Sequence, residues 1–298
     1  MKNAASVKDR LYNISKKTGK TMQELLVAYG LERTIYRLSV SRYKDNFTLK
    51  GGILLYALFD GNYARATTDI DLRAEKISND IEGMKQVFED IFSIEVDDPI
   101  SFDLNSLSVK SITEFKKYHG VNVSILGFLD KTRIDVSIDV GFGDTIYPKR
   151  IEMDFPSVLD DESPRIYAYS EVSSISEKFE AIVSLAYENT RFKDFYDIYV
   201  LSTTRDYDGK EMTEAVKETF EHRNTSLEEI VAFEEDFAND PLRQSRWNSF
   251  IKKKKAIITI SLEEVVSTIK VFLEPISEAI KGDIAFDKSW SHNDGKWL

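Results

Sequence analysis

The segment 133–140 alternates apolar and polar residues at every position. Four β-branched aliphatic residues occupy every second position, with three polar residues between them: Ile134, Val136, Ile138 and Val140 alternate with Asp135, Ser137 and Asp139. Successive side chains of a β-strand point to opposite faces, so the pattern predicts a strand with one buried and one polar face. Such a strand needs a sheet around it and a second layer on its apolar side, which favours a core that combines sheet and helices.

A glycine pair follows a short apolar segment and precedes a longer apolar run. We expect a strand over Phe47–Lys50, a turn at Gly51-Gly52, a buried helix over Ile53–Phe59 and, after a second turn, a strand over Thr67–Leu72. Glycine lets the backbone approach a phosphate closely, and the N-terminus of the next helix offers N–H groups to it. The pair alone is equally compatible with a tight turn that requires positive φ.

Two aspartates stand two positions apart in the second of these strands. Asp69 and Asp71 are predicted to share one face of the strand, while Ile70 and Leu72 point into the core. Neighbouring carboxylates repel each other unless a cation lies between them, and Mg²⁺ prefers carboxylate oxygens and substrate phosphates. An isolated Asp-x-Asp pair is more often a solvated strand end. Its place one helix after a Gly-Gly turn is more specific, and indicates a site for a metal ion and a nucleotide.

A third carboxylate is expected on the polar face of the 133–140 strand. Phosphoryl-transfer sites that use two metal ions need about three carboxylates to bridge and flank them. Asp139, which is followed by the turn residues Gly141 to Asp144, lies on that face, and so does Asp135. The residues alone do not decide between these two.

Composition limits the chemistry further. The chain has no cysteine and three scattered histidines (His119, His222 and His292), which excludes thiolate sites and argues against zinc. A net charge of −11 disfavours binding of an extended polyanion but allows one nucleotide or one RNA end in a basic pocket. Lys252–Lys255 and Lys116-Lys117 are the candidate contacts for such an acceptor. Without a signal peptide or an apolar run long enough to span a bilayer, we expect a cytoplasmic protein with no membrane contact.

The patterns divide the chain into three regions. We expect a helical segment over 1–45, with a capping box at Thr21–Glu24, an α/β core over 46–150 and a helical domain over 151–298. The remaining elements expected in the core are a helix at Glu82–Phe92 and strands at Leu107–Ile112 and Val121–Phe128. Those expected in the last region are a helix from a Ser174–Glu177 capping box through Tyr187, helices at Lys193–Leu201, Glu211–Thr219, Ser226–Ala238, Trp247–Lys255 and Leu262–Ile280, and a polar loop from Asp283.

Several blocks of the sequence together resemble one family. These blocks are Tyr29–Arg33, Tyr36–Ser39, Phe47–Gly52, Ala66–Leu72, Ile138–Asp144, Glu177–Ile182 and Arg191–Asp197. They are similar to the AbiEii/AbiGii toxins of type IV toxin–antitoxin systems, within the DNA polymerase β-type nucleotidyltransferase superfamily. The resemblance implies an α+β fold: a polymerase β-like core with a mixed sheet and helices, and a helical C-terminal domain that completes the active site.

The resemblance also implies roles for individual residues. Asp69 and Asp71 would be catalytic and hold the metal, Mg²⁺ or Mn²⁺, and Asp139 rather than Asp135 would be the third ligand. Lys178, expected in the first turns of its helix, would neutralise the leaving pyrophosphate. Asp194 would be a catalytic residue that orients Lys178 or the acceptor, and Asp197 would brace the helices. The residues expected to contact the nucleotide are Lys50, Gly51, Gly52, Arg65 and Thr68.

The implied reaction is transfer of NMP from an NTP to an acceptor hydroxyl, with release of pyrophosphate. The implied acceptor is RNA, such as a tRNA 3′ end, and the outcome is growth arrest in abortive infection, a form of phage defence. A separate antitoxin is implied, acting as a transcriptional repressor without a stable complex. The alternatives are a protein or small-molecule acceptor, and a non-catalytic relative that only binds nucleotides.

Overall fold

The computed structural model describes residues 3–113, 119–253, 256 and 259–298. The chain forms two compact units, each with its own internal contacts. Unit 1 comprises Met1–Asp144 and Ile151–Tyr169, and unit 2 comprises Thr145–Arg150 and Ser170–Leu298. No helix among the described residues is both long and apolar enough to cross a membrane.

Unit 1 combines helices with one mixed sheet. Its elements in chain order are α1 (Ala4–Thr18), α2 (Met22–Val40), β1 (Phe47–Lys50), α3 (Gly51–Leu58), β2 (Ile70–Ala74), α4 (Ile81–Phe92), β3 (Ile100–Thr113), β4 (His119–Leu129), β5 (Thr132–Phe142), β6 (Ile151–Asp154) and β7 (Arg165–Ala168). The predicted order of strand, helix and strand is confirmed, as is the capping box of α2 between Thr21 and Glu24. The glycine pair is not a separate turn, because α3 begins at Gly51. The mixed α/β class expected from the sequence is confirmed as well.

The sheet of unit 1 has seven strands within the described residues, in the order β3-β4-β5-β2-β1-β7-β6. Strand β2 pairs with β5 in parallel and with β1 in antiparallel. This register places Asp71 directly beside Asp139 on one side and beside Lys50 on the other. Three strands that are distant in sequence therefore bring charged side chains to adjacent positions of one sheet.

The apolar face of β5 is buried, as the alternation in its sequence predicted. Its four aliphatic residues, Ile134, Val136, Ile138 and Val140, are each 1–2% exposed. Side chains of this size contribute about 1.5–3 kcal/mol each when they are fully buried, so this face anchors the sheet in the core. The opposite face of the same strand is left to carry polar groups.

Helix α2 fixes unit 1 through buried charges as well as apolar contacts. Arg33 and Arg37 both donate to the carboxylate of Asp98, at 2.7 and 2.9 Å, and all three residues are buried. Glu32 of the same helix accepts a 2.7 Å hydrogen bond from the backbone N–H of Val158. The helix thereby holds the segment before β3 and the segment between β6 and β7.

Unit 2 is mainly helical and contains a small second sheet. Its elements are α5 (Glu171–Leu185), α6 (Phe192–Thr204), β8 (Tyr207–Asp208), α7 (Gly209–Arg223), α8 (Glu235–Asn239), α9 (Pro241–Lys253), α10 (Leu262–Lys281), β9 (Ser289–Ser291) and β10 (Lys296–Trp297). The antiparallel pairing of β10 with β9 and of β9 with β8 forms the second sheet.

Three predictions for unit 2 are wrong in detail. Helix α5 begins at Glu171 and is capped by Ser170, which accepts from the backbone N–H of Ser173, so the expected capping box at Ser174 is an interior part of the helix. The segment Ser226–Ala238 is not one helix, because only a single 3₁₀ turn and the start of α8 lie within it. The tail after Asp283 is not only a loop, since it supplies β9 and β10.

The tail is held by its two tryptophans. Trp290 is 1% exposed, and its indole N–H donates to the carbonyl of Ser202 at 2.7 Å. The indole N–H of Trp297 donates to the carbonyl of Phe272 at 2.8 Å, and the two rings stack. The two tryptophans thus order a polar segment, because two large side chains with satisfied N–H groups are enough to hold a short segment.

Candidate active site

Three carboxylates of unit 1 converge at one place on the sheet. Asp71 lies on β2, Asp139 lies beside it on β5, and Asp69 comes directly before β2. One carboxylate oxygen from each lies within 4.8 Å of the other two, and all three residues are half-buried. The predicted strand over Thr67–Leu72 starts late, at Ile70, so Asp69 reaches the cluster from the end of the preceding loop.

Neighbouring polar groups orient these carboxylates. The side-chain amide of Asn122, on β4, donates to Asp139 Oδ1 at 2.6 Å and to the hydroxyl of Ser137 at 2.9 Å. The backbone N–H of Thr68 donates to Asp69 Oδ1 at 3.3 Å. Thr68, expected at the nucleotide, is therefore placed beside an acidic residue of the cluster. Asn122 was not predicted, although the alternation in its own strand puts it on the polar face.

Asp135 lies apart from this arrangement. Its side chain is 69% exposed and pairs with Arg133 at 2.5 Å. The acidic cluster found among the described residues contains Asp139 and not Asp135. Register explains the difference, because β2 pairs with β5 only from Ile138 onward.

The glycine pair brings the start of α3 against the acidic cluster. Gly51 has φ +67°, a conformation that residues with a side chain rarely adopt, and a β-carbon there would lie 1.9 Å from Asp71 Oδ2. A β-carbon on Gly52 would lie 3.0 Å from a guanidinium nitrogen of Arg65, which is 5% exposed. The structure thus places the first N–H groups of a helix, a guanidinium and a carboxylate cluster next to one another.

Lys50 ends β1 and pairs with a residue that was not predicted as part of the site. Its ammonium group lies 2.7 Å from the carboxylate of Asp144 and 5.5 Å from the centre of the Tyr169 ring. The backbone carbonyl of Asp144 accepts a 2.6 Å hydrogen bond from Arg73 Nε, which fixes the turn after β5. The motif that follows Asp139 therefore delivers an acidic side chain to Lys50.

A second charged cluster lies within unit 2. The ammonium group of Lys178 lies 3.1 Å from Asp194 and 2.8 Å from Asp197, and Arg191 contacts the other oxygen of Asp194 at 2.7 Å. The side chains of Lys178 and both aspartates are less than a tenth exposed. Lys178 lies in the middle of α5 and not in its first turns, so the expected effect of the helix N-terminus on it does not apply.

The charges in this cluster make it sensitive to acid. Burial would raise the pKa of Asp194, but Lys178 and Arg191 hold that pKa below its ordinary value. A carboxylate whose pKa is lowered by folding stabilises the protein at pH values above the pKa that the group has in the unfolded chain, about 3.9 for aspartate. That contribution is lost as the pH falls through the pKa of the folded state.

We expect Lys178→Met to lower the free energy of unfolding by about 3–5 kcal/mol at pH 7, because two buried carboxylates lose their shared cation. Urea unfolding at pH 7 measures the loss, and the difference from the wild type should shrink below about pH 4, where the carboxylates take up protons. Lys210→Met, at an exposed position on α7, is the control. Equal losses from the two variants would contradict this prediction.

The basic runs singled out in the sequence are only partly within the described residues. Lys252 is exposed near the end of α9, with Lys253 next to it. The other members of these runs, Lys254, Lys255, Lys116 and Lys117, lie outside the described residues.

Comparison with solved structures gives two neighbours from Helicobacter pylori. JHP933 is 17% identical, with 87% of this chain and 94% of that chain covered at a TM-score of 0.47. A second protein, provisionally called a nucleotidyltransferase, is 16% identical, with 86% and 96% covered at a TM-score of 0.46. No protein of curated function matches the chain at a significant level.

The comparison with protein families is decisive. The family described as nucleotidyl transferase AbiEii toxin, type IV TA system, matches residues 33–267. The match includes both charged clusters and the glycine pair, and it extends over most of the chain. The acidic triad, the glycine turn beside it and this match agree with the resemblance found in the sequence, and the chain belongs to the AbiEii family of nucleotidyltransferase toxins of type IV toxin–antitoxin systems.

Proposed function

We propose that this nucleotidyltransferase uses a divalent metal ion, Mg²⁺ or Mn²⁺, to transfer NMP from an NTP to a hydroxyl at the 3′ end of an RNA such as tRNA. The observation that carries the proposal is the convergence of Asp69, Asp71 and Asp139, whose carboxylate oxygens lie within 4.8 Å of one another beside the N-terminus of α3.

The three aspartates fit a hard divalent cation. All their donor atoms are oxygens, the residues are half-buried, and three negative charges so close together repel one another without a cation. When bound, the metal stabilises the attacking and leaving oxygens of an in-line displacement at phosphorus. Asn122 holds one oxygen of Asp139 through its side-chain amide, which fixes the orientation of that ligand.

The residues around α3 fit the phosphates of the nucleotide. The first N–H groups of the helix at Gly51 and Gly52 offer hydrogen bonds and the positive end of the helix dipole to an anion. Lys50 and Arg65 flank this point and neutralise part of the charge of a triphosphate. In the proposed reaction the acceptor hydroxyl loses its proton to water, its oxygen bonds to the α-phosphorus, and the bond from that phosphorus to pyrophosphate breaks.

The family resemblance adds Lys178 and Asp194 to the residues that activity requires. Their ion pair is formed in the structure, and Arg191 and Asp197 complete it. We propose that Lys178 neutralises charge on the departing pyrophosphate and that Asp194 acts by holding Lys178. This part of the proposal rests on the resemblance, and transfer assays on Lys178→Arg and Asp194→Asn test it.

The whole proposal is tested by incubating the purified protein with each α-³²P-labelled NTP, Mg²⁺ and either total tRNA or total cell protein. We expect label in RNA, release of pyrophosphate, loss of both with EDTA and recovery with added Mg²⁺ or Mn²⁺. Label in protein or in a small molecule would identify a different acceptor. Nucleotide binding without pyrophosphate release would show that the chain is not an active transferase.

A further inference from the structure

Helix α9 lies in an unusually basic part of an acidic chain. From Pro241 to Leu262 the sequence has two arginines, four lysines and no acidic residue, although the whole chain carries a net charge of −11. Of these cations, Arg246, Lys252 and Lys253 lie on the described helix and are exposed. Where the structure describes the chain, no carboxylate pairs with any of the three.

One side of α9 carries a row of hydrogen-bonding groups. Gln244, Ser245, Asn248, Ser249 and Lys252 line a surface groove of about 480 Å³, together with Pro241. Trp247 and Ile251 anchor the opposite side of the helix in the core of unit 2. The exposed side is therefore presented rigidly, and its side chains offer donors and acceptors but no negative charge.

A third side of α9, which carries Arg243 and Arg246, faces a cleft in which arginines lie beside aromatic rings. The cleft has a volume of about 450 Å³, which is within the usual range for small-ligand sites, and Tyr187, Phe237, Arg243 and Arg246 contribute to its walls. Arg243 stacks at 3.9 Å on Phe237, which is buried. Tyr187 is 56% exposed, and its hydroxyl donates to Glu234. Burial lowers the pKa of Arg243, and the like charge of Arg246 acts in the same direction.

Two acidic residues also line the cleft. Asp240 accepts from the backbone N–H of Arg243 at 2.6 Å and so belongs to the start of the helix. Asp236 lies on α8. These charges oppose phosphate at the N-terminal end of α9, so the binding of a polyanion is favoured toward Arg246 and the two lysines.

Resting on the proposed RNA acceptor, we propose that α9 and its cleft form the surface that binds the RNA. Exposed lysines and arginines without acidic partners attract phosphates, and their contacts release counterions. An exposed aromatic ring beside arginine, here Tyr187 beside Arg243, is a usual platform for an unstacked base of single-stranded RNA. The combination of an acid-free polar helix face with an arginine-aromatic cleft fits a single-stranded RNA end better than a protein of either charge.

The test compares two double charge reversals. Lys252→Glu with Lys253→Glu alters α9. Lys16→Glu with Lys17→Glu is the matched control, because it changes two adjacent exposed lysines in the last turn of α1 by the same charge. Binding of a fluorescein-labelled hairpin RNA with a single-stranded 3′ end is measured by anisotropy without NTP, at 50–200 mM KCl. Tyr187→Leu tests the aromatic contribution.

We expect the α9 pair to weaken RNA binding by about tenfold or more and to reduce the slope of log K against log salt by about 1.4, the value for two lost contacts with a single strand. The control pair should change binding less than twofold, and Tyr187→Leu should weaken it without altering the salt slope. Equal weakening by both pairs, or none, would overturn the proposal. If only the α9 pair weakens RNA binding while the wild-type protein transfers no label to RNA, the proposed RNA-binding surface is supported and the proposed function is not.

Discussion

Asp71→Asn is expected to lower the rate of NMP transfer by about 1000-fold or more. The substitution keeps the size of the side chain but removes one of three charges that lie within 4.8 Å of one another. A metal ion contributes several kcal/mol to the stabilisation of the transition state in such reactions, and about 4 kcal/mol corresponds to three orders of magnitude. Single-turnover transfer from labelled NTP measures the rate, and Mn²⁺ titration followed by electron paramagnetic resonance measures the metal affinity.

The control for this prediction lies on the same strand as the third ligand. Asp135→Asn removes an equal charge from the polar face of β5, but Asp135 pairs with Arg133 outside the cluster. We expect it to leave transfer and Mn²⁺ affinity within about twofold of the wild type, because exposed ion pairs contribute little. Asp139→Asn should instead lose both transfer activity and Mn²⁺ affinity. Similar behaviour of Asp135→Asn and Asp139→Asn would refute the proposed ligand set.

Gly51→Ala should abolish transfer even though it adds one methyl group. The new β-carbon would be placed 1.9 Å from Asp71 Oδ2, so either the carboxylate or the start of α3 must move. The positive φ of Gly51 adds a backbone cost of about 1–2 kcal/mol for any residue with a side chain. We expect loss of both Mn²⁺ binding and activity, with a fall in the unfolding temperature. Loss of Mn²⁺ binding and of activity would indicate damage to the site, whereas backbone strain alone would lower only the unfolding temperature.

Gly19→Ala provides the matched control for the backbone cost. Gly19 ends α1 with φ +72°, close to the +67° of Gly51, but among the described residues no atom beyond its chain neighbours lies within 4 Å of the position of its β-carbon. Both substitutions therefore cost a similar conformational free energy, about 1–2 kcal/mol, and only Gly51→Ala displaces the proposed metal ligand Asp71. If Gly19→Ala and Gly51→Ala reduce activity equally, close approach to Asp71 is not the reason for the glycine.

Local patterns were enough to predict much of unit 1. Alternation identified β5 to within two residues, and a glycine pair between apolar segments identified β1 and α3, although the pair belongs to the first turn of α3. These elements are specified by side-chain periodicity and by backbone freedom, both of which are visible in a short window. The blocks that resemble the AbiEii family indicated the family, and the family match over residues 33–267 confirms it.

Features that depend on partners distant in sequence were missed. Asn122 contacts Asp139 across two strands, and Asp144 contacts Lys50 from the far end of β5, so neither role can be predicted without the register of the sheet. The residues alone left the choice between Asp139 and Asp135 open for the same reason, although the resemblance implied Asp139. The helix expected over Ser226–Ala238 failed for another reason, because helical spacing of apolar residues also occurs where 3₁₀ turns and loops cover a core.

Because β2 pairs with β5, the acidic triad is complete only after Asp139 has been synthesised. A chain emerging from the ribosome exposes Asp69 and Asp71 well before Asp139, and β3 and β4 must be made before β5 can reach its place beside β2. Under the proposed chemistry, a nascent or truncated chain lacks a complete metal site. We expect a divalent cation that binds the completed triad to stabilise the folded sheet by mass action.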